Sequence, residues 1–277
     1  MQVRSEKWRS KVLTSSVWIG LLAGAALVPH SARAAGKAAA DPAVEATKES
    51  ERAPLRELQI FPKGPKGERP DLNDVILDWT EEGHVRAARV ASAKRTMKAN
   101  EPGTTALDPF KGLTRLEKIE LLGVAVEDLT PLAKLPALQM VHLQGCLKLK
   151  SLAPLGDMPS LTKVRIDRAT PADVAGLSGL ANLVQLEVPG GTVVDASFVA
   201  KMSQLEHLDL SGNKGIVDLA ALSDLKGLRF LDLTGTGVKS LEAIAGHEAL
   251  RILRVSKKAN LTAVLPLKAG GLRIEVK

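Results

Sequence analysis

A short frame of leucines, L-x-x-L-x-L, recurs along the chain with conservative replacements and constrains the fold more than any other feature of the sequence. Its first position falls at Leu116, Leu138, Leu161, Leu183, Leu205, Leu228 and Leu250. The steps between these leucines are 22, 23, 22, 22, 23 and 22 residues. So regular a return indicates a solenoid of stacked units, because one unit of this length cannot bury its own leucines.

Each repeat contains two patterns that predict its local structure. The x-L-x-L alternation that ends the frame, as in LEHLDL (205–210), is typical of a short strand with one buried face. A second set of apolar residues at spacings of three, as in DLTPLAKL (128–135), predicts a short 3₁₀ or helical turn. Each unit is therefore expected to contain one strand and one turn.

The segment LTRLEKIELLGVAVEDLTPLAKL (113–135) resembles a leucine-rich repeat of the 22-residue class, as in bacterial internalins. The resemblance implies an α/β solenoid with short parallel strands on the concave face and short 3₁₀ or helical turns on the convex face. The family usually places an asparagine three residues after the last strand leucine. This chain has Asn213 there, but Cys146 and Thr236 occupy two matching positions, so the ladder of asparagines is incomplete.

The start of the chain predicts export. A basic stretch (1–16) precedes the apolar run VWIGLLAGAALV (17–28), and small residues follow at Ala32 and Ala34, which is the order of a secretory signal. This run is too short to span a bilayer comfortably, since a membrane helix needs about twenty apolar residues. We expect a cleaved signal, with an uncleaved anchor as the alternative. The mature protein would then be periplasmic or secreted, without a transmembrane span.

The sequence divides into five predicted parts: a signal peptide (1–35), a flexible leader (36–55), an N-terminal cap (56–112), the repeat solenoid (113–256) and a degenerate repeat with a C-terminal capping strand (257–277). The leader is predicted from its polar, alanine-rich composition. Within the N-terminal cap we expect a strand or short helix around Trp79. After it, the sequence allows a helix from residue 85 or a hairpin that turns at EEGH (81–84).

Charge and cysteine content narrow the classes of function. The net charge is +7, but residues 1–37 hold six Lys or Arg residues and one acidic residue, so the predicted signal carries most of the excess. Aromatic residues make up 3% of the chain, which leaves few stacking partners for nucleic-acid bases. No nucleic-acid partner is expected. Cys146 is the only cysteine, so no internal disulfide can form.

Alternation along each strand exposes one column of residues between the two strand leucines. The column reads Glu120, His142, Arg165, Glu187, Asp209, Asp232 and Arg254. It places three carboxylates on neighbouring strands, about 5 Å apart. Three interpretations are open. A basic partner surface docks there, the column is a solvated face without a partner, or a hard cation such as calcium binds, since carboxylates suit it.

These patterns favour a non-enzymatic module that binds a protein partner on its concave face. The predicted binding residues are His142, Arg165, Glu187, His207, Asp209, Phe230, Asp232 and Arg254. Paired carboxylates can serve glycoside hydrolysis, but this face offers one aromatic side chain as a platform for a sugar. His142 and His207 lie three strands apart and cannot share a metal ion. No metal or cofactor is predicted, and a monomer is expected. The alternative is a structural protein of the bacterial envelope without a single ligand.

Overall fold

The computed structural model describes residues 41–55, 75–91 and 106–277, which belong to one compact unit. The predicted signal peptide lies outside the described residues. The strands are β1 (Val75–Trp79), β2 (Val85–Ala91), β3 (Lys118–Leu122), β4 (Met140–Gln144), β5 (Lys163–Asp167), β6 (Gln185–Glu187), β7 (His207–Asp209), β8 (Phe230–Leu233), β9 (Ile252–Val255) and β10 (Arg273–Val276). The helices are α1 (Pro42–Leu55) and α2 (Pro171–Ala175). Short 3₁₀ turns occupy Asp108–Phe110, Ala153–Leu155, Ser197–Val199, Ala220–Leu222, Glu242–Ile244 and Thr262–Gly270.

The strands form one sheet in which their order follows the chain from β1 to β10. β1 pairs with β2 antiparallel, and every later neighbour is parallel. Leu186, Leu208 and Leu231 are aligned across β6, β7 and β8, so each coil adds one strand in the same register. The predicted solenoid of parallel strands and short turns is therefore confirmed.

The core is a continuous stack of leucines between the sheet and the turns. The seven leucines that open the repeats are at most 1% exposed. Strand leucines such as Leu208 and turn leucines such as Leu222 are fully buried. Burying one such side chain contributes roughly 1.5–3 kcal/mol. Because the leucines of one coil pack against those of the next, this stabilisation is shared between neighbours rather than held within one repeat.

Asn213 satisfies backbone groups in two successive coils. Its Nδ2 donates to the carbonyl oxygens of Val188 (2.7 Å) and Leu210 (2.9 Å), and its Oδ1 accepts from the amide of Val193 (3.1 Å). The side chain is fully buried, so these bonds replace water that cannot reach the backbone. At Gly191 of the preceding coil, a Cβ would lie 2.9 Å from this Oδ1 and 2.2 Å from a backbone oxygen, so the asparagine needs glycine beside it.

Replacing this asparagine tests how much the bridge between coils contributes. We expect Asn213→Ala to lower the free energy of unfolding by about 2–4 kcal/mol, because the three bonds above and a longer one to the carbonyl oxygen of Ser211 (3.3 Å) are lost. Thr236→Ala, at the matching position of the next coil, removes one bond to Leu233 O (2.7 Å) and should cost about 1 kcal/mol. Urea unfolding measures both; equal losses would contradict a special role for Asn213.

The N-terminal end differs from what its sequence suggests. Residues 85–91 form a strand, so the helix considered there is wrong and the hairpin turning at EEGH is confirmed. Residues 42–55, where composition predicts a flexible leader, form helix α1. Carboxylate oxygens of Glu51 accept from the amide of Val85 (2.5 Å) and lie 2.7 Å from Nδ1 of His84, while Arg52 lies over the Trp79 ring at 5.2 Å. Polar contacts thus hold the helix against the hairpin.

The C-terminal end closes with the predicted strand. β10 pairs with β9 in parallel, after a 3₁₀ segment that contains Pro266 and is followed by Gly271, where φ is 91°. A left-handed φ at this position suits glycine, which has no Cβ to clash with the following carbonyl. Val264 and Leu272 are buried and cover the last coil of the core.

His247 interrupts the apolar ladder on the side of the turns. It occupies the position that leucine holds in other repeats, as at Leu225, and is fully buried. Its Nε2 lies 2.9 Å from the carbonyl oxygen of Leu222 and so carries the proton, whereas Nδ1 has no hydrogen-bond partner. Burial lowers the pKa of His247, the charge of Lys226 acts in the same direction, and the bond to Leu222 opposes both only in part. The folded protein therefore keeps this imidazole neutral.

This buried imidazole should make stability depend on pH. As the pH falls through 6.5, the unfolded chain protonates His247 while the folded protein does not, so the free energy of unfolding falls. His247→Leu should remove that part of the dependence and stabilise the protein in weak acid. Urea unfolding between about pH 8 and pH 5 compares the two proteins; parallel stability curves would contradict this account.

Candidate functional site

The strand register lines up the predicted binding residues on one face of the sheet, here called the concave face. The middle column, one residue from each of β2 to β10, reads Arg89, Glu120, His142, Arg165, Glu187, Asp209, Asp232, Arg254 and Glu275. It contains six of the eight predicted residues. His207 and Phe230 lie next to each other in the adjoining column. Backbone pairing alone therefore brings all eight into one surface.

The N-terminal half of this surface is a network of ion pairs. Arg165 bonds to Asp167 (2.8 Å) and also to Glu187 on the next strand. His142 Nε2 lies 3.3 Å from the other Asp167 oxygen. Burial alone would raise the pKa of Asp167, but the bond from His142 and the charge of Arg165 outweigh it and hold that pKa below its usual value. These side chains hold one another in fixed positions.

Glu187 is enclosed at the centre of this network. The residue is 5% exposed, and its carboxylate accepts hydrogen bonds from Arg165 and from Gln185 (2.7 Å). Nε2 of His207 lies 3.4 Å from the same carboxylate. Burial would raise the pKa of Glu187, yet the bonds from His207 and Gln185 and the charge of Arg165 lower it below its usual value. Glu187 is therefore an ionised carboxylate whose charge is already balanced within the protein.

The C-terminal half has a second balanced group around Arg254. Its guanidinium lies 3.6 Å from Asp232 and 2.8 Å from Glu275 on β10. The same guanidinium lies over the Phe230 ring at 5.0 Å, and that ring also stacks on His207, with centroids 4.1 Å apart and planes 1° from parallel. Contacts of Phe230 with His207 and Arg254 thus link three neighbouring strands.

Asp209 lies between these two groups without a cation of its own. Ser211 donates its amide to Oδ1 at 2.8 Å, and within the described residues Asp209 forms no ion pair. Burial raises the pKa of Asp209; the bonds from Ser211 oppose this, and the charges of Asp232 and Glu187 add to it. The alternation of charge along the middle column breaks here, where two carboxylates face each other across β7 and β8.

Burial corrects one expectation about these carboxylates. A fully solvated column is wrong for Glu187 and Asp232, which are 5% and 7% exposed, and Phe230 is 8% exposed. Strand ends explain part of this, because Oδ1 of Asp232 accepts the amide of Thr234 at 2.9 Å, as Asp209 does for Ser211. The sequences D-L-S (209–211) and D-L-T (232–234) indicate such bonds, because an aspartate side chain commonly accepts the backbone amide two residues later.

Asp167 and Glu275 belong to the ion-pair networks but were not among the predicted binding residues. Asp167 and Glu275 lie at outward positions of their strands, and each balances an arginine of the middle column. Alternation alone showed that they face outward, but it could not show which arginine each would contact. Their role is to fix the predicted residues in place.

Two further chemical features of the described residues are their potential metal ligands and the thiol of Cys146. No set of three His, Cys, Asp or Glu side chains among them is grouped so as to hold a metal ion. Burial raises the pKa of the Cys146 thiol to about 12, and its Sγ lies 3.4 Å from the carbonyl oxygen of Leu121. Cys146 is thus a protonated thiol in a turn rather than a nucleophile. Over the same residues, no helix combines the length and apolar character that crossing a membrane requires.

Asp209 and Asp232, the two aspartates that face each other across β7 and β8, allow a matched pair of variants. Asp209→Asn should raise the free energy of unfolding at pH 7, because it removes a partly buried charge that has no cation and keeps an oxygen for Ser211. Asp232→Asn should lower it by about 1 kcal/mol, since Arg254 loses one of its two carboxylates.

The pH dependence of this effect has a definite sign. The folded state holds the proton of Asp209 more tightly than the unfolded chain, whose pKa is near 3.8, so ionisation costs stability as the pH rises above that value. The gain from Asp209→Asn should therefore vanish in acid. Thermal unfolding from about pH 3 to pH 8 measures this, and a variant less stable than the wild type at pH 7 would refute it.

Comparison with known proteins agrees with the observed architecture. No protein-family profile matches the chain, and no curated protein matches its sequence. Among solved structures, a leucine-rich-repeat protein of Leptospira interrogans is similar, with a TM-score of 0.51 and 14% identity over 82% of this chain and 56% of that protein. An internalin (InlF) of Listeria monocytogenes has a TM-score of 0.49 and 21% identity over 65% of this chain and 54% of its own.

Internalin C2 of Listeria monocytogenes has a TM-score of 0.49 and 25% identity over 54% of this chain and 66% of its own. The chain therefore spans between about half and two thirds of each of these proteins. The Leptospira protein shares the fold at low identity, and the ten-stranded sheet with its 3₁₀ turns shows the same architecture independently. The chain is a leucine-rich-repeat solenoid.

Proposed function

We propose that the chain is a non-enzymatic binding module that captures a protein partner on its concave face. The observation that carries the proposal is Asp209, a partly buried carboxylate at the centre of the face that lacks a cation among the described residues. Its neighbours Glu187 and Asp232 are each paired with an arginine of the same face. Because the carboxylates on both sides of Asp209 have arginine partners and Asp209 has none among the described residues, this position is suited to a cation that a partner protein supplies.

The surroundings of Asp209 indicate what kind of group would bind there. Burial raises the pKa of Asp209 in the free protein, and repulsion from Asp232 and Glu187 adds to this effect. A lysine or arginine of the partner would offset that repulsion. The adjoining stack of His207 and Phe230 would contact the aliphatic part of such a side chain. A charge-assisted hydrogen bond in this partly dry position is worth more than one at an open surface.

The rigidity of the surface supports a protein partner. Binding orders few side chains when those of the receptor are already fixed, so less conformational entropy is lost. Arg165 and Arg254 each contact two carboxylates, and the strands beneath them are held by neighbours on both sides. The face thus presents a fixed row of charges over several strands, which suits an extended macromolecular contact.

We also propose that the protein works outside the cytoplasm. The basic, apolar and small-residue order of residues 1–35 supports this proposal. N-terminal sequencing of the protein from its own host should begin just after Ala34 or Ala35. A protein that retains Met1 would contradict cleavage.

A charge reversal tests the concave face. The wild-type protein, Asp209→Lys and Asp224→Lys would each be crosslinked in the envelope fraction of the host, and bound proteins identified by mass spectrometry. Asp224 is exposed in the turn after Ala220–Leu222, away from the sheet, so this control makes the same charge change elsewhere. We expect one stoichiometric partner on the wild type and on Asp224→Lys, with capture by Asp209→Lys reduced at least tenfold.

Two outcomes would overturn the proposal. Equal capture of the partner by all three proteins would show that the concave face does not bind it. Retention in the envelope by every variant, without a stoichiometric partner, would indicate instead a structural protein that has no single ligand.

A further inference from the structure

One arginine occupies a backbone position that glycine occupies in its neighbours. After each of several strands the chain turns through a left-handed residue, two positions beyond the last buried strand residue: Gly123, Gly145, Arg168, Gly190, Gly212 and Gly235, with φ between 66° and 76°. Arg168, with φ of 67°, is the one residue other than glycine with positive φ among the described residues. A side chain at this φ is strained, because its Cβ approaches the neighbouring carbonyl oxygen.

Hydrogen bonds show that Arg168 takes the same structural role as the glycines. Its amide donates to the carbonyl oxygen of Pro189 on the next coil at 2.9 Å, as Gly190 does to Ser211 and Gly212 to Thr234, both at 2.7 Å. A glycine at residue 168 would make this bond without strain. The backbone of the turn therefore does not require arginine.

The described residues also give the Arg168 side chain no compensating contact. It is exposed, and no hydrogen bond or ion pair joins its guanidinium to any of them. Arg165, three residues earlier, bonds to both Asp167 and Glu187 in the same network. The glycines that flank Arg168 in this ladder, Gly145 and Gly190, have no side chains that could contact it. Its charge is therefore available at the edge of the concave face.

We propose that Arg168 is a docking residue for a carboxylate of the same protein partner that places a cation at Asp209. This inference rests on the proposed function and adds a second contact of opposite sign. Arg165 and Asp209 are level in the middle column, two strands apart, and Arg168 lies three residues beyond Arg165. The two sites are thus roughly 14 Å apart at their Cα atoms. The partner would present a basic and an acidic side chain with about that separation.

The local charges favour a single carboxylate over a polyanion. A guanidinium binds a carboxylate with two parallel hydrogen bonds. Nucleic acids and anionic membranes are bound through several cations acting together. The equivalent turn positions of the two neighbouring coils are glycines, so they add no cation beside Arg168, and Asp167, which directly precedes it, is acidic. A lone acidic side chain on a folded or extended polypeptide fits this arrangement.

Peptides selected on the wild-type protein from a random dodecapeptide phage library provide a defined probe. Their affinities would then be measured for the wild type and for Arg168→Gly, Arg168→Glu and Asp209→Asn. We expect the selected peptides to carry both a basic and an acidic residue. Binding should be about tenfold weaker on Arg168→Gly, as for the loss of one charge-assisted hydrogen bond. Arg168→Glu should regain affinity for a peptide whose acidic residue is changed to arginine.

The variants separate this inference from the proposed function. One result would be peptides that bind Asp209→Asn with lower affinity than the wild type and bind Arg168→Gly with the same affinity as the wild type. This result would agree with the proposed function and overturn the role of Arg168. Peptides insensitive to both variants would overturn both. Binding of the wild type to vesicles of 30% phosphatidylglycerol in phosphatidylcholine, lost in Arg168→Gly, would indicate a phosphate ligand and overturn the carboxylate.

Stability gives an independent readout. Arg168→Gly should unfold at a higher urea concentration than the wild type, because glycine adopts the left-handed turn without strain. If it unfolds at a lower concentration, Arg168 supports the fold and the proposal is overturned.

Discussion

The packing of each coil against the next is the interaction on which the rest of this protein depends. A single repeat has a strand of three to five residues and a short turn, neither of which can bury its leucines alone. Neighbouring coils supply the missing half of the core and the partners of the backbone amides. Both requirements are met only when every coil keeps the same length and register, which explains why the leucines return at such constant intervals.

This shared register also decides the electrostatics of the concave face. Side chains one repeat apart in sequence become neighbours across the sheet, so their order along the chain becomes an order of charges in space. Arginines next to acidic residues form ion pairs, as at Arg165 and Glu187. Asp209 and Asp232 are held side by side by the same pairing and cannot move apart without breaking it. The unbalanced charge at Asp209 is thus a consequence of the repeat, and removing it would need only a change of side chain.

The sequence predicted the parts of the structure that periodicity controls. Strand positions, the middle column and the final strand follow from alternation and from the repeat length, both of which can be read along the sequence without knowing which side chains meet in space. The burial of Glu187 was not predictable in this way, because it depends on how Gln185, Arg165 and His207 meet from three strands. Helix α1 was missed because its composition is polar and Glu51 anchors it to a hairpin more than thirty residues away. Arg168 was visible as a departure from glycine, but its strain appears only with the backbone angle.

Helix α1 forms an outer layer at the amino-terminal end of the solenoid. None of the side chains described in α1 is buried, and its polar contacts join Glu51 to the hairpin and Arg52 to the Trp79 ring. Beneath it, Val85 and Phe110 are fully buried in the core, which is therefore closed at this end as well as at the other. A segment with few buried contacts opens at a lower free energy than the core. Helix α1 should therefore detach before any coil separates, leaving the acidic centre of the sheet intact.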